Sequence, residues 1–183
     1  MSWLFVACLG GGSGRAVTSA EELPKEFYEY QVKVQVLGEV YQKVTTKYVN
    51  SAHPLADKTL AEVLKALELA AKSLKTPKVK GFKDIPEVME ESKAFVKRIS
   101  YIAKEMLEKE RVNNLSEKWH HESNEASNNW MRRQEAMPEV VRARVRSEVS
   151  FVRAKDTREI AQEWGGGDKR LQEAWLKILA YWK

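Results

Sequence analysis

Three histidines, one cysteine and a run of three glycines are the first residues to test for chemistry. His120, His121 and Glu122 are consecutive. On a helix, neighbours point about 100° apart, so this triplet does not converge on one metal as an HExxH pair does. His121 and Glu125 stand four apart and share a face, but two ligands without a third do not make a site. His53 is isolated beside a proline. Cys8 has no flanking base, and a single cysteine excludes an internal disulfide and any multi-cysteine zinc or iron–sulfur centre. The run of glycines at 165–167 lacks the Lys-Ser/Thr ending and the preceding strand of a phosphate loop. No serine lies in a nucleophile elbow. The expectation is therefore a non-enzyme, with no catalytic, cofactor-binding or metal-ligating residues and no cofactor.

Charge offers the next candidates. The 183 residues carry 31 basic and 26 acidic side chains, a net charge of +5. The excess is spread along the chain, which reads as the solvated outside of helices more than as a nucleic-acid footprint. Two stretches stand apart. Between residues 72 and 83 there are five lysines and no acid, with Lys75, Lys78, Lys80 and Lys83 around Val79 and Phe82. Residues 132–158 hold the densest arginines, among them Arg142, Arg144 and Arg146, interleaved with glutamates. Both are candidate contacts to phosphate or lipid headgroups. Each has a plainer reading: a solvated loop for the lysines, and pairing with glutamates along a helix for the arginines.

Such residues need elements to carry them. Few glycines and prolines with many charges favour long helices. In residues 24–49, Phe27, Tyr30, Val34, Leu37, Tyr41, Val44 and Tyr48 step by three and four, the seam of a packed helix. Tyr28, Tyr30, Val32, Val34 and Val36 also alternate, so a β-hairpin over residues 28–49 in an α+β fold is the alternative. Seven matches against five favour helix. Ser19 with Glu22, Thr59 with Glu62, Asp84 with Glu87 and Asp156 with Glu159 have capping-box spacing. They predict helices over residues 24–49, 59–74, 86–112 and 156–164. Further helices are expected after Pro138 and after Asp168. The segment 113–134 is polar, with Trp119 and Trp130 nearly its only candidates for burial. It suits a rim helix or an arm lying on another protein. The fold class expected is mainly α: an elongated bundle of about five to seven helices with an extended N-terminal arm. The organisation expected is an apolar and Gly-rich arm over 1–20, a helical core over 21–112 and a polar, Trp- and Arg-rich extension over 113–183.

The first nine residues are apolar but too few to span a bilayer, which needs about 20. They lack the basic start of a secretory signal. Residues 1–20 contain no acid and intersperse Arg15 with serine and threonine, weakly resembling a mitochondrial targeting segment. Trp3 and Phe5 in this arm, with Trp119, Trp130, Trp175 and Trp182, are candidate partner anchors, because tryptophans on polar or terminal segments are what interfaces use.

These features point to a non-catalytic accessory subunit of a hetero-oligomeric assembly, with a mitochondrial inner-membrane respiratory or ATP synthase complex as its setting. Peripheral membrane contact would run through residues 1–9. The alternatives are an RNA-contacting subunit of an organellar ribonucleoprotein, and a helical coat or scaffold that self-assembles through its heptad seams.

Overall fold

The computed structural model describes residues 14–109 and 117–183, with residues 117–120 described in the backbone alone. Seven α-helices form among them: α1 (Lys25–Val49), α2 (Lys58–Ser73), α3 (Ile85–Glu108), α4 (Glu117–Ala136), α5 (Glu139–Ala154), α6 (Thr157–Gly165) and α7 (Lys169–Trp182). The architecture is a mainly-α bundle without strands among the described residues.

Helix α1 is the axis of the bundle. It packs against α2, α3, α5 and α7, and its side chains also bond to α4. All seven residues of its three-four seam are buried, and so are all five of the alternating set. Between Phe27 and Tyr41 no residue of α1 is exposed, and its exposed polar residues are confined to the ends, so a second, strand-like period appears in its sequence. That resolves the hairpin alternative. It also means that the seam faces this chain's own helices.

The long helices are ordered by a few polar contacts between apolar layers. Gln31 on α1 donates to Ser92 Oγ on α3 at 3.3 Å, while its Oε1 accepts from Gln134 Nε2 on α4 at 2.8 Å. The Tyr48 hydroxyl, at the other end of α1, donates to the Lys109 carbonyl at 2.5 Å. Helix α3 therefore runs alongside α1 in the same direction. Helix α2 runs the opposite way, with Asp57 at its start paired to Lys47 at 2.8 Å and Thr76 beyond its end reaching Tyr30 at 3.4 Å. Consequently α2 and α3 form an antiparallel pair.

Helix starts follow local hydrogen bonding more closely than the spacing of boxes. Asp156 and Asp168 accept from the first-turn amides of α6 and α7, as expected of those positions. The Ser19–Glu22 box closes only the single turn Ala20–Glu22, and α1 begins after Pro24. For α2 the cap is Asp57, two residues before Thr59, because its carboxylate reaches the Leu60 amide at 3.1 Å. Helix α3 opens at Ile85 and stops at Glu108, shorter than the expected span to residue 112; residues 110–116 lie outside the described residues.

One apolar core runs from Val17 to Trp182, so both the 21–112 and the 113–183 segments feed it. At the N-terminal side, Arg15 pairs with the loop before α3: its amide donates to the Gly81 carbonyl and its carbonyl accepts from the Lys83 amide, at 3.1 and 3.0 Å. Helix α4, almost without apolar residues, is held to α3 by the Phe95–Trp130 stack and by Arg98–Glu122 at 2.8 Å.

Candidate functional site

The residues that sequence reasoning singled out are not gathered in one place. His53 is exposed. His121 Nε2 comes within 3.9 Å of Glu125, both on the exposed side of α4. No group of three or more His, Cys, Asp and Glu side chains able to hold a metal occurs among the described residues. The glycines at 165–167 end α6 and turn into α7.

Of the aromatic anchors, Trp3 and Phe5 lie outside the described residues, as does the side chain of Trp119. Trp175 and Trp182 are 2% and 1% exposed. Trp175 meets Trp164 edge to face at 4.8 Å. Trp182 donates its indole N–H to Glu39 on α1, with Arg153 stacked 4.1 Å above its ring. Neither offers a surface to a partner, because the C-terminal stripe docks on the chain's own body. Trp130 is half-buried, stacked on Phe95 at 4.7 Å.

The two basic stretches separate on geometry. Arg142 and Arg146 both pair with Glu139, at 3.5 and 2.5 Å, and Arg144 pairs with Glu148 at 2.8 Å. The Arg146 guanidinium holds the Glu139 carboxyl below its ordinary value. Three of the four arginines of α5 thus have a glutamate partner on α5, two of them sharing Glu139, and Arg153 pairs with Glu39 of α1. By contrast Lys75, Lys78, Lys80 and Lys83 are exposed and have no ion-pair partner among the described residues. Val79 and Phe82 between them pack against the core.

A groove that no contiguous stretch of sequence announces lies between α2 and α3. It measures about 430 Å³, and Ala71, Leu74, Val96 and Tyr30 give it an apolar floor. Lys72 stands on the α2 rim, and Lys93, Lys97 and Lys104 on the α3 rim. Their spacing of four and seven places the last three on one helical face, spanning about 16 Å at 1.5 Å per residue. Tyr101 sits among them, 44% exposed. Glu68 is the one acid in the lining. None of the four lysines has an ion-pair partner among the described residues. Other clefts are near charge balance. The one between α2 and α7 sets Lys65, Lys72, Arg170 and Lys177 against Glu62, Glu68 and Glu173. The one among α1, α5 and α6 sets Lys25, Arg144 and Lys155 against Glu29, Glu148 and Glu163. The α2–α3 groove is distinguished by its excess of positive charge, four lysines against Glu68. The four- and seven-residue spacing of lysines on the polar face of α3 was the available signal, but the rim on α2 depends on the antiparallel pairing.

No known family model, curated protein or solved structure matches the chain.

Proposed function

We propose that this chain is a non-catalytic helical subunit of a larger protein assembly, docking through the groove between α2 and α3. The observation that carries this reading is a lysine rim without ion-pair partners among the described residues, set around half-buried Leu74 and exposed Tyr101. Such a surface suits a macromolecule that brings both negative charge and apolar contact. The acid-free composition of residues 1–20 supports a mitochondrial inner-membrane respiratory or ATP synthase complex as the setting. No described helix is long and apolar enough to cross a membrane, so any membrane contact by the described helices would be peripheral.

Native purification from the source cells, with co-purifying proteins identified by mass spectrometry, tests the reading. Several subunits of one complex in fixed ratio are the expected result. The chain recovered alone would overturn it.

A second reading, contact with ribosomal or other RNA, draws on the exposed unpaired lysines 75, 78, 80 and 83, which extend the basic surface beyond the groove. It predicts co-purifying rRNA and binding that falls steeply with salt.

A further inference from the structure

We propose that the occupant of the α2–α3 groove is an acidic amphipathic helix of a partner protein. This inference rests on the reading of the chain as an assembly subunit. Two antiparallel helices leave between them the furrow into which a third helix packs. Half-buried Leu74 and exposed Tyr101 offer apolar surface to such a helix, over a floor closed by Ala71 and Val96. The rim then dictates the partner's charge: Lys72 on one side, and Lys93, Lys97 and Lys104 along three turns of the other, call for carboxylates flanking the apolar stripe.

The competing occupants fit less well. Residues 1–13 contain no acidic side chain, so they cannot complement the rim. A second copy docking α3 against α3 about the middle of the groove would bring Lys93, Lys97 and Lys104 against their equivalents. A nucleic acid would match the lysines and could stack on Tyr101, but would leave half-buried Leu74 without an apolar complement.

The test uses the full chain expressed in its source cells, with Tyr101 replaced by the photoreactive residue p-benzoylphenylalanine. After irradiation, the cross-linked segment is sequenced by mass spectrometry. The expected product is a partner-protein segment with apolar residues at three-four spacing and Asp or Glu beside them. Its yield should fall at least about tenfold when Lys93→Glu and Lys97→Glu are introduced, because each reversal sets like charges against each other. Circular dichroism controls for folding. If the reversed variant unfolds, Lys93→Gln with Lys97→Gln replaces it, with a smaller loss of yield expected. Cross-linking to RNA, to lipid, to a second copy or to a segment lacking that pattern overturns the inference. So does an undiminished yield in the folded variants. Partners that co-purify without any cross-link at residue 101 overturn this docking mode and leave the subunit reading standing, whereas the absence of co-purifying partners sinks both.

Discussion

Phe95 of α3 and Trp130 of α4 stack with ring centroids 4.7 Å apart and planes 16° from parallel, directly beside Gly38 of α1. Three helices meet at this point. A methyl group at position 38 would stand 2.8 Å from the Phe95 ring and 3.8 Å from Trp130. Glycine is therefore retained in mid-helix, where alanine is ordinarily favoured by about 1 kcal/mol. Gly38→Ala should displace the stack and cost about 1–3 kcal/mol of overpacking, outweighing the propensity gain. Urea unfolding of the two proteins measures it.

Trp130 separates shape from polarity at the same place. Its indole N–H is buried and has no hydrogen-bond partner among the described residues. Trp130→Phe retains the stacked ring and removes the unpaired donor, so stability should change little. Trp130→Ala should cost about 2 kcal/mol or more, because α4 has few other apolar contacts to hold it. Equal losses in the two variants would contradict this account.

Gly165 makes a harsher demand. A side chain there would run into the backbone of Gln172, where α6 and α7 pack closely. A flexible side chain could yield, but a backbone cannot without moving a helix. Gly165→Ala should therefore lower stability more than Gly38→Ala, and the two midpoints can be compared in one titration series.

The buried glutamine bridge couples α1 to α4 and to α3. Gln31 is 1% exposed and bonds Ser92 and Gln134. Gln31→Leu leaves partners without their bonds and should cost about 1–3 kcal/mol. Adding Gln134→Leu should recover part of that loss, giving a measurable coupling in a double-mutant cycle.

Lys33 supplies a pH signature. It is half-buried beside the Trp164 ring, and burial pushes its ammonium below the ordinary lysine value, with Glu29 and Glu163 partly opposing. The unfolded chain then binds the proton more tightly than the folded one. The charged form burdens folding at neutral pH, and that burden lifts as pH rises from the folded value towards about 10.4. Lys33→Met should flatten the stability profile in that alkaline window, measured by melting temperature across pH.

Much of the bundle was legible because apolar spacing on α2, α3, α5 and α7 is one-sided, and Asp156 and Asp168 cap where their positions suggest. Helix α1 was ambiguous for a physical reason, since burial beyond a single stripe between Phe27 and Tyr41 weakens the contrast that periodicity reads. The fate of Trp175 and Trp182 was hidden for another. A stripe shows that a helix docks, but whether on its own chain or on a neighbour depends on Glu39 and Arg153, far away in sequence. The groove was split between Lys72 and the Lys93–Lys97–Lys104 face, on either side of the lysine-rich loop that connects α2 to α3.

The central claim is that the α2–α3 rim holds this chain in an assembly. Its most direct test is the native mass of the tagged full chain recovered from its source cells, with Lys93→Glu and Lys97→Glu compared against Arg144→Gln and Arg146→Gln. The account predicts that the lysine reversals release a monomer of about 21 kDa, while the arginine pair stays in the larger complex because its charge is already matched by Glu148 and Glu139. A complex of unchanged mass in the folded lysine variant would contradict it.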